Sequence, residues 1–183
     1  LVGIGLAGMI YGLESLRGEI GAGNCLISRL DVTDPADFSR AISAFSDWTL
    51  GRMDVLFNRA GVLFQGFFAS LPLEAHFKTI EVNFKGVVVG IQAAIPLLRS
   101  TPGACILTMS SASAVFGTPD HAVYSATKFA VRALTEALSI ELAPSGIRVV
   151  DLMPSFVATP MLSDQREPSR LMRGVGEDKR FSR

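Results

Sequence analysis

Short, nearly continuous apolar runs alternating with amphipathic segments constrain the fold of this chain more than any other feature. Residues 53–58 form one such run, residues 105–111 a second, and residues 147–153 a third. Strands of a parallel sheet covered on both faces have this character. Segments with helical periodicity, among them 36–50 and 122–138, lie between the runs. The alternation predicts an α/β fold with a parallel sheet, and the length of 183 residues fits one domain.

Composition and charge exclude several classes of partner. The 17 basic and 17 acidic residues balance, and no basic stripe is present, so we expect no nucleic-acid partner. Cys25 and Cys105 lie in apolar surroundings without metal-ligand spacing, so we expect free thiols in a reducing cytosol and no metal. No apolar run appears long enough to span a bilayer, and residues 1–10 lack a basic leader, which predicts a cytoplasmic protein without a membrane partner.

Tyr124 and Lys128 form the strongest candidate for chemistry. They lie four positions apart in a predicted helix, and such positions share one helix face. An ammonium near a phenol lowers the phenol's pKa, so the pair predicts an acid or base that works near neutral pH. Taken alone, the spacing is more often a packed tyrosine and a solvated lysine.

The surroundings of this pair carry a family resemblance. The strand before it ends in Ser110-Ser111, Ser111 lies thirteen positions before Tyr124, and Tyr124 opens the sequence Tyr-Ser-Ala-Thr-Lys. From about Asp31 to Leu162 the chain resembles the short-chain dehydrogenase/reductase family. The resemblance implies an NAD- or NADP-dependent oxidoreductase that interconverts an alcohol and a ketone or aldehyde by hydride transfer, with Tyr124 as acid/base.

The resemblance also implies roles for the neighbouring residues. Ser111, with Ser113 as the fallback, would hold the substrate oxygen. Lys128 would lower the pKa of Tyr124 and bind the nicotinamide ribose. Asn83, in a Val-Asn-Phe-Lys-Gly sequence, would distort its helix and complete a proton path; the alternative is a helix Asn bonded to its own backbone.

The fold implied by the resemblance is a doubly wound, Rossmann-like parallel sheet in a truncated three-layer α/β/α sandwich. Residues 1–162 would form this domain, and residues 163–183 a polar tail or a substrate lid. A literal G-x-G-x-x-G occurs at Gly3, Gly5 and Gly8, but only two residues precede it, which favours coincidence. On this resemblance the family's first strand and glycine loop are missing. Residues 1–6 would be the remnant of the second strand, or would fill the central slot of the sheet.

Cofactor contacts follow from the resemblance alone. The Asp31 carboxylate and the Val32 main chain would border the adenine, although a strand-end Asp bonded within its own turn is an equal alternative. Departures from the family pattern occur at Arg59, which replaces an Asn, and at Ser155, which replaces a Gly. The remaining expected cofactor contacts, besides Tyr124 and Lys128, are Asn58, Ala60, Gly61, Val157 and Thr159.

The substrate and the assembly are predicted only in outline. An apolar pocket for a small alcohol or carbonyl compound is suggested by Phe64, Phe67, Phe68, Val115 and Phe116. The helices carrying Asn83 and Tyr124 are expected to form the interface of a homodimer or homotetramer. His76 and His121 have no metal-spaced partners and are expected at the surface or in loops. The alternative function is a non-catalytic relative that has lost productive dinucleotide binding; a hydrolase using Ser111 lacks a suitable His and acid.

Overall fold

The computed structural model describes residues 3–5 and 10–155. Within these ranges five strands and five α-helices follow one another, with short 3₁₀ turns at Ala22–Asn24, Phe68–Ser70, Ala112–Ala114 and Ala143–Ser145. The strands are β1 (Gly3–Gly5), β2 (Ile27–Arg29), β3 (Val55–Asn58), β4 (Cys105–Met109) and β5 (Arg148–Leu152). The helices are α1 (Ile10–Ile20), α2 (Pro35–Thr49), α3 (Leu73–Ile80), α4 (Gly86–Arg99) and α5 (Ala122–Glu141), with a π-helical segment, Glu81–Lys85, joining α3 to α4.

All strand pairs are parallel and fall into two groups. β1 pairs with β2, with Gly3 opposite Ile27, while β3, β4 and β5 form a three-stranded sheet in that order. Residues 3–5 therefore pair with β2 and not with β3, as expected of a remnant of the family's second strand. The glycines Gly3 and Gly5 lie in a strand and not in a phosphate-binding loop.

One strand end and one helix differ from what the sequence pattern indicates. The apolar run from Ile27 continues to Val32, but β2 ends at Arg29, because Asp31 starts a turn by accepting hydrogen bonds from the Thr33 amide and hydroxyl. Helix α1 was not predicted, since its glycine-containing sequence has weak helical periodicity. At the start of α2, Asp34 accepts a hydrogen bond from the Ala36 amide at 2.8 Å and Pro35 occupies the first turn.

Helices α4 and α5 cover one face of the three-stranded sheet. The residues of this core with no exposed surface include Ala94, Leu98, Ile106 and Val131. Gly90 permits the close approach of α4 to its neighbours, because a Cβ there would lie 2.7 Å from the Phe38 ring and 2.9 Å from Asn58 Oδ1. The other face is more open, with Val55 56% and Phe57 43% exposed. The packing holds the carboxyl ends of the three strands beside the start of α5.

The expectation that no apolar run is long enough to span a bilayer is wrong, judged by length and composition alone. The continuous helix Leu73–Arg99 has 27 residues and a mean hydropathy of 1.3 in its most apolar window, enough to cross a bilayer. Core helices of soluble proteins also meet this test, and this one is packed against α2 and β3. Both thiols are free; Cys25 is buried and Cys105 is half-buried.

Candidate active site

Ser111 is held at the carboxyl end of β4 by local backbone structure. β4 continues as an extended chain, and the Ser110 amide donates to the Leu152 carbonyl at 2.8 Å. Ser111 then caps the short 3₁₀ turn at residues 112–114, and its hydroxyl accepts from the Ser113 amide at 3.1 Å. The fallback Ser113 instead lies within 3.4 Å of the Thr118 hydroxyl. The geometry thus favours Ser111 as the hydroxyl next to the tyrosine.

Tyr124, Lys128 and Ser111 meet where β4 and α5 face one another. The Tyr124 phenol lies within interaction distance of the Ser111 hydroxyl. One turn further along α5, the Lys128 ammonium lies 5.5 Å from the centre of the Tyr124 ring and donates to the Met109 carbonyl at 2.7 Å. Lys128 is only 4% exposed. The predicted helix therefore brings the phenol, the ammonium and the hydroxyl together.

The predicted effect of Lys128 on Tyr124 is wrong. Burial raises the pKa of Tyr124, and the hydrogen bond from Ser111 lowers it by less. Burial also lowers the pKa of Lys128 to about 8. The ammonium points toward the Met109 carbonyl and lies against the tyrosine ring, so desolvation governs both groups.

Asn83 fixes the loop after β3 to the helix bundle. Its side chain has no exposed surface, its Oδ1 accepts from the Val62 amide at 2.8 Å, and its Nδ2 donates to the Val62 carbonyl at 2.9 Å. A longer contact of 3.5 Å reaches the Thr127 hydroxyl on α5. The helix is distorted at this point into a π-helical segment, as the resemblance implied. The side chain bonds the backbone of another segment, so the alternative of a helix Asn bonded to its own backbone is wrong.

The residues expected at the adenosine side converge on the end of the π-helical segment. A Cβ on Gly86 would lie 2.9 Å from Val32 Cγ2, and a Cβ on Gly61 would lie 3.4 Å from Asn83 Oδ1. The Asp31 carboxylate is exposed, and the hydrogen bonds from Thr33 lower its pKa. Its turn bonds match the local alternative, yet a carboxylate has further acceptor positions for a donor group of the adenine.

Two strand ends complete the expected cofactor side. Asn58 Nδ2 donates to the Thr108 hydroxyl at 3.3 Å, so this amide ties β3 to β4. Ala60 is half-buried in the segment after β3, and Arg59 between them is exposed. The dinucleotide contacts expected at Asp31, Val32, Asn58, Ala60 and Gly61 stay a prediction. Val157 and Thr159 lie outside the described residues, as does the tail 163–183.

A small pocket, partly open to solvent, adjoins Tyr124. Phe64 and Phe68 line it as predicted, whereas Phe67, Val115 and Phe116 are exposed and do not. The other lining residues are Gly66, Leu71, His76, Thr79, Asp120, His121, Ala122 and Val123.

Sequence reasoning missed the polar residues of this cavity. Asp120 was not considered, although it lies four positions before Tyr124 in the turn that leads into α5. His76 was expected at the surface but is 8% exposed; it stacks on Phe68 at 4.6 Å, and its Nε2 lies 3.1 Å from the Phe68 carbonyl oxygen. His121 lies at the N-terminus of α5, in the loop position expected for it. The only sequence signal for Asp120 and His121 was that they lie four and three positions before Tyr124.

Comparisons with known proteins agree with this geometry. Residues 10–170 match the family model described as short chain dehydrogenase. A 3-alpha-(or 20-beta)-hydroxysteroid dehydrogenase of Mycobacterium bovis is 39% identical over 132 residues, which are 72% of this chain and 50% of that protein. A trans-4-hydroxycyclohexanecarboxylate dehydrogenase of Sinomonas cyclohexanicum is 33% identical over 158 residues, which are 86% of this chain and 58% of that protein.

A solved structure supports the same fold. The crystal structure of a 3-ketoacyl-(acyl-carrier-protein) reductase from Brucella melitensis complexed with NADH is similar, with a TM-score of 0.77 at 33% identity, and the match covers 84% of this chain and 64% of that one. This similarity confirms the predicted Rossmann-like α/β fold. The chain spans between 50% and 61% of the length of the curated relatives it matches.

Proposed function

Because the chain belongs to the short-chain dehydrogenase family, a family of oxidoreductases, we propose that it interconverts an alcohol and a ketone or aldehyde with NAD or NADP. The observation that carries this proposal is the meeting of Tyr124, Ser111 and Lys128 beside a cavity. Tyr124 lines that cavity, so a small molecule entering it would meet the tyrosine side chain.

The cofactor supplies or accepts the hydride when it is bound. Asp31, Val32, Asn58, Ala60, Gly61 and Lys128 would hold it on this proposal, together with Val157 and Thr159. The residues of the chain would position the substrate and manage the proton.

Tyr124 would act as the proton donor in the reductive direction. Its raised pKa keeps the phenol protonated at neutral pH, which suits an acid that delivers a proton to the substrate oxygen. Ser111 would donate a hydrogen bond to the same oxygen and keep it beside the phenol. Asn83 would contribute through the loop it fixes at Val62, and the proton path assigned to it stays a prediction.

The test combines cofactor binding with turnover. NADH and NADPH are titrated into the protein by fluorescence, and reduction of a panel of small ketones is then followed for the parent protein and for Tyr124→Phe. Cofactor binding with turnover that is lost in Tyr124→Phe supports the proposal. Turnover that survives Tyr124→Phe contradicts the role of the phenol.

A non-catalytic relative is the second candidate. It is favoured by the position of Gly3 and Gly5 in a strand, where they form no phosphate-binding loop, and by the exposed Arg59. No detectable binding at millimolar NADH and NADPH selects this candidate.

The partners follow from the same proposal. Phe64, Phe68 and Leu71 in the cavity wall suit the apolar body of a small alcohol or carbonyl substrate. The balanced charge supports the proposal of no nucleic-acid partner. The packing of α4 against α2 and β3 supports the proposal of no membrane partner and a cytoplasmic location. The proposal does not choose between NAD and NADP.

A homodimer or homotetramer through the α3–α4 and α5 helices is proposed as well. Its support is the apolar surface exposed on them, where Phe77 is 55%, Val88 41% and Phe129 42% exposed. Light scattering that shows a monomer contradicts it, and Phe129→Glu should weaken the assembly.

A further inference from the structure

We propose that residues 63–67 form a gate over the pocket beside Tyr124, and that the unpaired carboxylate of Asp120 favours opening of this gate. In the structure the gate is closed, and the pocket has room for little more than one water molecule. A substrate would reach Tyr124 through this pocket only after the gate has moved away. The inference rests on the proposed function for what passes the gate, whereas the motion itself is measured without cofactor or substrate.

A backbone hydrogen bond closes the gate. The Gly66 amide donates to the Asp120 carbonyl at 3.0 Å, and this bond joins the loop after β3 to the turn before α5. Gly66, Asp120 and Tyr124 all line the pocket. Residues 63–67 contain no helix or strand, so no ladder of backbone bonds holds them in place. Segments of this kind open most readily in folded proteins.

Two anchors set the ends of the gate. On one side, Asn83 holds the Val62 backbone through hydrogen bonds of 2.8 and 2.9 Å. On the other side, the Phe68 ring stacks on His76 at 4.6 Å, and the Phe68 carbonyl oxygen lies 3.1 Å from His76 Nε2. His76 and Asn83 both belong to the continuous helix Leu73–Arg99. The gate can therefore swing between Val62 and Phe68 while its ends stay attached.

The turn on the other side of the bond is fixed to α5. The His121 amide donates to the Thr118 carbonyl at 3.1 Å, which closes the turn, and the Thr118 amide donates to Ser125 Oγ at 3.1 Å. Asp120 has a φ of 65°, a left-handed conformation at the third position of the turn, and Pro119 precedes it as in type II turns. The loop is therefore the side that moves.

Unpaired polar atoms weaken the closed state. Gln65 Oε1, both carboxylate oxygens of Asp120 and His121 Nε2 are buried without a hydrogen-bond partner in the part of the chain that the structure describes. Burial lowers the pKa of His121, so its ring is neutral at neutral pH and supplies no positive charge to the carboxylate. Burying an unpaired charge costs free energy. Opening of the gate would admit water to these atoms, and their hydration would offset the loss of the Gly66 bond.

The experiment measures amide hydrogen exchange of the full chain by NMR, without cofactor. The Gly66 amide reports on the gate and the His121 amide on the turn. The Ser110 amide, which donates to the Leu152 carbonyl at 2.8 Å, reports on the sheet. We expect Gly66 to exchange about a hundredfold or more faster than Ser110, each relative to the rate of an unstructured amide, because the gate opens without unfolding of the sheet.

Two matched variants test the role of the charge. Asp120→Asn removes the charge with almost no change of shape, and asparagine also tolerates the left-handed conformation. We expect this variant to slow Gly66 exchange about tenfold, because a buried unpaired charge costs more free energy than a buried unpaired amide. Exchange of His121 and Ser110 should change by less than about twofold. Asp47→Asn makes the same change at an exposed position of α2 and should leave all three amides unchanged.

Three results would overturn the proposal. Gly66 exchange as slow as that of Ser110 in the parent protein would show that the gate does not open by itself. Unchanged Gly66 exchange in Asp120→Asn would show that the carboxylate does not favour opening. Equal slowing of Gly66 and His121 in that variant would assign the effect to the turn. A protein whose gate opens as expected but that binds neither NADH nor NADPH would retain the gate while the proposed oxidoreductase activity fails.

Discussion

The buried ammonium of Lys128 should make the stability of this protein rise with pH in the alkaline range. Lys128 is 4% exposed, and burial lowers its pKa from 10.5 to about 8. In the unfolded chain the pKa returns to the ordinary value of about 10.4. Between these two values the unfolded chain binds more protons than the folded one, so raising the pH stabilises the folded state. Below pH about 8 both states are protonated, and the full cost of the buried charge is present.

The size of the effect follows from the two pKa values. At about 1.4 kcal/mol per pKa unit, the complete difference corresponds to about 3 kcal/mol. About 2 kcal/mol of it falls between pH of about 7.5 and about 10, a window chosen because Tyr124 then remains largely protonated. For a chain of this length this equals roughly 4–8 °C in melting temperature.

The assay compares the parent protein with Lys128→Met by urea unfolding across this window. Subtracting the two curves removes the titration of all other groups, and the loss of the bond to the Met109 carbonyl adds only a constant offset. The difference should change by about 2 kcal/mol in favour of the parent as the pH rises. Lys85→Met, the same change at an exposed lysine of the π-helical segment, is measured as the control. A difference for Lys128→Met that does not change with pH would refute the reasoning from burial.

Two further predictions concern packing. Asn83→Ala should lower the free energy of unfolding by about 2–3 kcal/mol, because two hydrogen bonds to Val62 are lost and the Val62 backbone groups are left unpaired. The control Gln92→Ala, a change at an exposed amide, should cost less than about 0.5 kcal/mol in the same urea titration. Similar values for both variants would contradict the role given to Asn83. Gly90→Ala should destabilise the protein by about 1–3 kcal/mol, because the added Cβ would lie 2.7 Å from a ring carbon of Phe38. Gly18→Ala in α1 is the control: its Cβ would meet nothing within 4 Å, so it should stabilise the protein by up to about 1 kcal/mol in thermal unfolding. An increase in stability for Gly90→Ala would show that α4 can move away.

The site was predictable where one local rule governs the residue. Tyr124 and Lys128 lie on one face of α5 because the helical repeat puts them there. Ser111 was expected at the end of β4, where parallel strands present their functional residues. The helix distortion at Asn83 followed from the resemblance, whereas its bonds to Val62 depend on a loop 21 residues away and were not foreseen.

Charge and burial were not predictable from spacing. The same four-residue separation predicted a lowered pKa for Tyr124, yet the pKa is raised, because the protein removes the phenol from water and directs Lys128 toward the Met109 carbonyl. For the same reason the buried carboxylate of Asp120 and the stacked His76 could not be identified in the sequence.

By itself the sequence determined the order of the strands and helices apart from α1, the parallel arrangement of the strands, and the hydroxyl, phenol and amine of the candidate site, because periodicity and spacing are local properties. Only the tertiary structure decided that residues 3–5 pair with β2, which side chains line the cavity, and which charges are buried. Those outcomes depend on contacts between segments far apart in the chain, and desolvation is set by everything that surrounds a group.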